Sequence, residues 1–179
     1  MLLFLYSCEV DWDFMKDTIR IIYAEEKYLS SFHQALDRVA REQIYVEMIT
    51  APAWEKTFDF FKKQTEGNFP VYYAIHDEKV VGWADISPSE NPRLAHRGFL
   101  GMGLIDGYRG QGLGSQLLEA CIQHAKKIEI EKIELSVYSN NSAAIALYKK
   151  FGFQEMGFIK HYRKLNEQYF DCVQMEKFL

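Results

Sequence analysis

The chain reads as an α/β fold, a mixed central sheet with helices on both of its faces. Two observations predict it. Short β-branched or aromatic runs recur between longer segments whose apolar residues return every three or four positions. Their order is β-α-α-β-β-β-α-β-α-β-β, an interleaving that neither an all-helical nor an all-stranded domain produces.

Each element has a local reason. Thr18 to Tyr23, short and β-branched, predicts a first strand. Glu25 to about Ile49 turns helical, with Leu29, Phe32, Leu36 and Val39 three or four apart, and Pro52 breaks the pattern. A second helix, about Ala53 to Glu66, is expected to bury Trp54, Phe58 and Phe61 on one face; Gly67-Asn68 ends it and Pro70 opens the next element. Val71 to His76 and Val80 to Ile86 predict two strands around Asp77-Glu78-Lys79, with a polar loop from Pro88 to Pro92. Arg97 to Ile105 is a strand containing Gly98, Gly101 and Gly103, and glycines there imply a bulge or the close approach of another chain. The next helix, Gly112 to Ile128, carries Leu113, Leu117, Leu118, Cys121, Ile122, Ala125 and Ile128 on one stripe. Lys132 to Val137 predicts a buried strand and Ser142 to Phe151 a short helix. Gln154 to Tyr162 and Gln168 to Phe178 predict a closing pair of strands.

Bulk properties narrow the function classes. A chain of 179 residues, 48% hydrophobic and 26% charged, is sized for one domain with a substantial core. We expect a single domain over residues 18–179, preceded by an extension over residues 1–17. A formal charge of −4 argues against nucleic acid as the main partner. The basic run Lys160-His161-Tyr162-Arg163-Lys164 reads as a solvated strand end. Cys8, Cys121 and Cys172 are an odd number at unrelated spacings, so neither a disulfide framework nor a metal site is expected, and a reducing, cytoplasmic compartment is. Cys121 lies on an apolar stripe and reads as a core thiol. Met1 to Cys8 is apolar but lacks a basic flank, and Glu9, Asp11 and Asp13 follow, which is wrong for a secretory signal. Met15 is an alternative start. No window approaches the ~18 apolar residues of a membrane span.

The most informative segment is Tyr108-Arg109-Gly110-Gln111-Gly112-Leu113-Gly114, set between a strand and a helix. Its glycines strip side chains from the backbone where a helix begins, and the free amides and helix dipole there favour an anion. Arg109 adds a positive charge. No Lys-Ser or Lys-Thr follows the last glycine, so this is not a P-loop. The spacing also fails G-x-G-x-x-G, and no ribose-binding acid follows, which excludes a dinucleotide-binding dehydrogenase.

The pattern Arg109-x-x-Gly112-x-Gly114 resembles the acyl-CoA pyrophosphate loop of the GNAT superfamily of N-acetyltransferases. A second block, Asn141-Ser142-Ala143-Ala144-Ile145-Ala146-Leu147-Tyr148 followed by Phe151-Gly152-Phe153, resembles that superfamily's Asn-x-x-Ala-x-x-Leu-Tyr…Gly-Phe segment, in the same order along the chain. The resemblance spans roughly residues 18 to 179. It implies a GNAT-type, mostly antiparallel sheet and acetyl-CoA as co-substrate, with no metal.

The resemblance also implies roles. The main chain of Arg109, Gly110, Gln111, Gly112, Leu113 and Gly114 would hold the pyrophosphate. Met102, Gly103 and Leu104 would pair with the pantetheine arm as an added strand, and Asn141 would both cap its helix and touch the same arm. A main-chain N–H of Met102 or Leu104 would stabilise the oxyanion, a contribution of ~3 kcal/mol. Tyr148 would be the general acid that protonates the leaving thiolate.

The acceptor amine must reach the site neutral, so a base is expected. In ribosomal-protein alanine acetyltransferases a glutamate precedes the asparagine block; Ser136 stands there instead. Glu47, Asp85 and Glu134 are the carboxylates considered for the task. Tyr169-Phe170-Asp171-Cys172-Val173-Gln174-Met175 resembles the ending of bacterial acetyltransferases of small amines and amino acids, with Asn166-Glu167-Gln168 in place of their turn glycine. Tyr45, Glu47, Met48 and Trp54 are expected to border the acceptor. The preferred reading is a small amine or amino acid acetyltransferase. The alternatives are a protein N-terminal or lysine acetyltransferase, or a non-catalytic acyl-CoA-binding module. Acceptor, acyl length, base, true start and assembly, a homodimer included, stay open at this point.

Overall fold

The computed structural model describes residues 18–179; the N-terminal extension, Cys8 and the two candidate start methionines lie outside the described residues. Seven strands form one sheet in the order β1-β2-β3-β4-β5-β7-β6. They are β1 (Arg20–Tyr23), β2 (Val71–His76), β3 (Lys79–Pro88), β4 (Arg97–Leu104), β5 (Lys132–Tyr138), β6 (Gln154–Leu165) and β7 (Gln168–Phe178). The helices are α1 (Leu29–Arg41), α2 (Trp54–Glu66), α3 (Leu113–Lys127) and α4 (Ser142–Lys150). All neighbouring strands run antiparallel except β4 and β5, which are parallel and joined through α3. A parallel pair needs such a crossover, because a tight turn cannot reverse the chain twice.

The core sits on both faces of the sheet. On one, Phe32 of α1 stacks on Tyr73 (5.0 Å between ring centres) and meets Trp83 edge-on at 5.6 Å. On the other, α3 buries Leu117, Leu118, Cys121, Ile122 and Ala125. Cys121 is fully buried, as its place on the stripe predicts.

Several boundaries move. The long first helix ends at Arg41, not near Ile49: Gln43 adopts a left-handed φ of 55°, and residues 42–53 leave the helix axis. Two contacts pin this segment, Ala51 N–H to Asp37 Oδ1 (3.0 Å) and His33 Nε2 to the Pro52 carbonyl (2.9 Å). Trp54, expected inside with Phe58 and Phe61, is 43% exposed; it occupies the first residue of α2, beyond the buried stretch of that face, with its ring beside His33. Both hairpins turn without glycine: Asp77 and Glu78 (φ 47° and 58°), then Asn166 and Glu167 (φ 48° and 61°), take the paired left-handed conformation of a type I′ turn. The second turn follows a strand that runs to Leu165, past the expected end at Tyr162.

Candidate active site

The sheet is split where it matters. β4 and β5 pair only over Arg97–Phe99 and Lys132–Glu134, after which the two strands diverge. A cleft of about 860 Å³ opens in the gap, lined by Leu100 to Leu104 on one side and Leu135 to Tyr138 on the other. An ion cluster closes the base of this wedge: Arg97 forks onto Glu134 (3.0 and 2.5 Å), and Lys132 bridges Glu134 (2.9 Å) to Glu176 (2.5 Å). The Arg97 guanidinium holds the Glu134 carboxyl below its usual range, which leaves it a poor proton acceptor at neutral pH.

Main-chain register decides which β4 groups face the gap. Ser89 N–H donates to the Arg97 carbonyl (3.1 Å) and Ile105 N–H to the Val81 carbonyl (3.0 Å). The intervening ladder is unbroken, so the odd-numbered residues of β4 bond to β3 and the even ones point away. The Leu100 N–H closes the last rung of the β4–β5 ladder, and past it the Leu100 C=O and the main-chain groups of Met102 and Leu104 face the cleft. Gly103 lies between them with its main chain turned to β3. The expected bulge is absent. The glycines answer the other expectation, close approach: a Cβ on Gly103 would meet the Trp83 ring at 2.4 Å, and one on Gly101 would meet Asp85 Oδ1 at 3.0 Å.

Beyond β4 the chain coils into the glycine loop. Gly110 and Gly112 have φ of 75° and 82°, and Gly112 is the N-cap of α3. The first local bonds come from Ser115 and Gln116, both to the Gly112 carbonyl. Among the described residues, the amides of 109–114 have no hydrogen-bond acceptor in the protein. An array of free N–H groups at the positive end of a 15-residue helix could hold an anion such as a phosphate. Gly114 serves a second need, since a Cβ there would press on Leu147 of α4 at 3.2 Å.

The Arg109 side chain is already engaged. Its Nε donates to the Leu104 carbonyl (2.9 Å), while Nη1 and Nη2 pair with Glu42 at 2.8 and 2.6 Å; the guanidinium also lies 4.2 Å from the Tyr45 ring. Its charge is spent on the 42–53 segment, so any anion at this loop would be left to the main chain.

The second sequence block lies against the same cleft. Asn141 accepts the Ala144 N–H (3.2 Å) through Oδ1 as the N-cap of α4, and its side-chain amide is free to donate elsewhere. Tyr148 lines the cleft, 7% exposed, with its ring beside Phe153. Burial pushes its phenol well up, which keeps the proton on the oxygen through the working range.

Opposite the glycine loop, Tyr45, Glu47 and Met48 line the cleft as expected, whereas Trp54 does not. Sequence reasoning missed what covers this end. Arg163 of β6 donates to the Gln43 carbonyl (3.1 Å), and the Tyr162 hydroxyl donates to Glu47 in a very short bond that raises its phenol to about 12. The basic run that reads as solvated thus ties β6 across the gap to the 42–53 segment. Ser136 is occupied by Gln174, whose Nε2 donates to its Oγ at 2.8 Å. No group of three or more His, Cys, Asp or Glu side chains able to hold a metal occurs among the described residues. No helix among them is long and apolar enough to cross a membrane.

Residues 31–153 match the acetyltransferase (GNAT) family. L-amino acid N-acetyltransferase AaaT of Escherichia coli (strain K12) is 31% identical over 105 residues, covering 58% of this chain and 65% of that protein, just short of two thirds of its length. An N-alpha-acetyltransferase of Sulfurisphaera tokodaii is 29% identical over 128 residues, covering 66% of this chain and 77% of that one. Among solved structures, an acetyltransferase of the GNAT family from Streptococcus pneumoniae is similar at a TM-score of 0.83 with 27% identity, covering 90% of this chain and 100% of that one.

Proposed function

This chain belongs to the GNAT acetyltransferase family, and we propose that it moves the acetyl group of acetyl-CoA onto the primary amine of a small molecule, an amino acid or a small amine. The observation that carries this reading is the wedge between β4 and β5, with free amides at one end and a covered pocket at the other.

The residues present fit the co-substrate. A pyrophosphate takes up the amides of residues 109–114, and a polyamide arm takes the place of the missing strand along Met102 and Leu104. Acetyl-CoA supplies an acyl group activated as a thioester. The N–H of Met102 or Leu104 stabilises negative charge on the carbonyl oxygen, and in a water-poor cleft such a donor contributes ~3 kcal/mol. The Tyr148 hydroxyl holds the proton that goes to the departing sulfur.

A small acceptor is favoured by the roof. Tyr162 and Arg163 reach over to Glu47 and Gln43 and turn what would be an open groove into a bounded pocket. The E. coli relative acts on L-amino acids by its name, which agrees. The second reading, acetylation of a protein N-terminus, draws on the S. tokodaii relative; a peptide chain would have to pass under the same roof. Cys121 and Cys172, both free and buried among the described residues, fit a cytoplasmic protein. The test is thiol release from acetyl-CoA with amino acids, small amines and N-terminal peptides offered in parallel. Turnover confined to peptides would move the assignment to the second reading.

A further inference from the structure

Glu47 lines the cleft, and Glu42, Glu134 and Asp85 stand beside residues that do; of these, three are committed. Glu42 is paired with Arg109, Glu134 with Arg97 and Lys132, and Glu47 accepts the Tyr162 hydroxyl. The fourth is Asp85 of β3. It lies directly opposite Gly101 of β4 on the face that carries α1 and α2. The absent side chain of Gly101 is what admits it: Oδ1 and Oδ2 sit 3.0 and 3.4 Å from where a Cβ would be. The carboxylate thus projects over a bare α-carbon, and Gly101 itself lines the cleft.

We infer that Asp85 is the general base of the reaction, taking the proton of the acceptor ammonium through one water seated over Gly101. This rests on the acetyl-transfer reading of the cleft. The surroundings are built for a carboxylate that is held but not neutralised. Its one hydrogen bond among the described residues comes from Ser87 Oγ to Oδ2 at 3.4 Å. Ser87 is in turn fixed by the Nε2 of Gln64 (3.1 Å), an α2 side chain that is 1% exposed. Among the described residues, Oδ1 has no hydrogen-bond donor and no cation lies within ion-pair distance. The titratable groups that feel the Asp85 charge are Tyr73 of β2 and, across the sheet, Cys121 of α3; burial pushes each of them up first and the Asp85 charge adds to it, so both are neutral at working pH. Burial likewise pushes the Asp85 carboxyl up to about 7, where a base both accepts and releases a proton readily.

The proton account closes. The ammonium gives one proton to the Asp85 carboxylate, and the freed lone pair forms the nitrogen–carbon bond as the carbon–sulfur bond breaks. The sulfur takes the electron pair and the Tyr148 proton. The second nitrogen proton restores Tyr148, and Asp85 returns its own to solvent.

The experiment compares wild type with Asp85→Asn and Gly101→Ala, using coenzyme A calorimetry, pH profiles of kcat/KM and carboxyl 13C resonances of the cofactor-free proteins. Wild type should show an Asp85 resonance titrating near 7 and a rate limb at the same pH. Asp85→Asn should keep coenzyme A affinity within twofold, lose that limb and lose about 10²-fold or more in kcat/KM. The deficit should shrink below tenfold for an amine already neutral at pH 7. Gly101→Ala, whose methyl presses on Oδ1, should shift the resonance and slow the reaction with coenzyme A binding intact. An Asp85→Asn variant that binds coenzyme A and keeps the wild-type rate and limb would overturn the assignment to Asp85 alone. Wild-type protein that neither binds coenzyme A nor releases thiol would instead remove the reading beneath it.

Discussion

Arg109 and Glu42 meet fork to fork, two nitrogens on two oxygens at 2.8 and 2.6 Å. One belongs to the glycine loop and the other is the first residue after α1, so the pair ties the loop to the 42–53 segment that lines the cleft. Planar bidentate pairing of this kind is geometrically exacting, and lysine would not reproduce it.

Glu42→Gln should therefore disturb the acceptor more than the nucleotide. The acceptor KM is expected to rise several-fold, with the coenzyme A Kd moving less than threefold. Because the pair is partly exposed, its loss should destabilise by about 1 kcal/mol, a fall of about 2–4 °C in Tm. Steady-state kinetics beside a melting curve separates these effects.

Tyr148→Phe removes the proton carried by a buried phenol and leaves its ring against Phe153. A thiolate leaves more easily than an amide nitrogen, so we expect a kcat loss at the low end of the acid–base range, about 10²-fold. Coenzyme A affinity, measured by calorimetry, should stay within twofold. Equal rates in the two proteins would remove Tyr148 from the acid role.

At Gly112, φ of 82° places any other L-residue in a conformation costing about 1–2 kcal/mol. Gly112→Ala should lower Tm by a few degrees. Relaxation of the loop should also misplace the amides, so that saturating coenzyme A raises Tm less than in wild type. A full ligand-induced shift would place the phosphates elsewhere.

The raised carboxyl of Asp85 has a stability signature whose sign is unusual for an acid. Between its unfolded range near 4 and its folded value near 7, the native state holds a proton that the unfolded chain has released. Wild-type stability should fall as pH rises through that window. Asp85→Asn does not titrate, so its advantage over wild type should grow between pH 5 and pH 8, on the order of 3 kcal/mol. Urea unfolding at the two pH values measures it, and a constant difference would refute the shift.

Fold and glycine loop were legible because both are written locally. Apolar period sets α3, turn chemistry sets the hairpins, and the glycine string before α3 needs no distant partner to leave its amides free. What stayed hidden was set by residues far apart in the chain. Nothing near Arg163 foretells that its guanidinium donates to a carbonyl 120 positions away. Nothing near Arg109 names Glu42 as its partner. Gly101 was visible as an oddity, yet its reason lies in Asp85 on the neighbouring strand. The end of α1 was lost for a different cause: Gln43 takes a left-handed conformation that glycine or asparagine would have announced.

The short seam between β4 and β5 has a mechanical meaning. With three residue pairs as a hinge and the Glu47–Tyr162 and Gln43–Arg163 contacts as a latch on the far side, the sheet is two leaves fastened at opposite edges. A guest strand sliding between them would complete the hydrogen-bond ladder that the polypeptide leaves unfinished. Deuterium uptake at Met102 and Leu104 should then slow on filling, while Gly101 and Gly103, already bonded to β3, keep their pace.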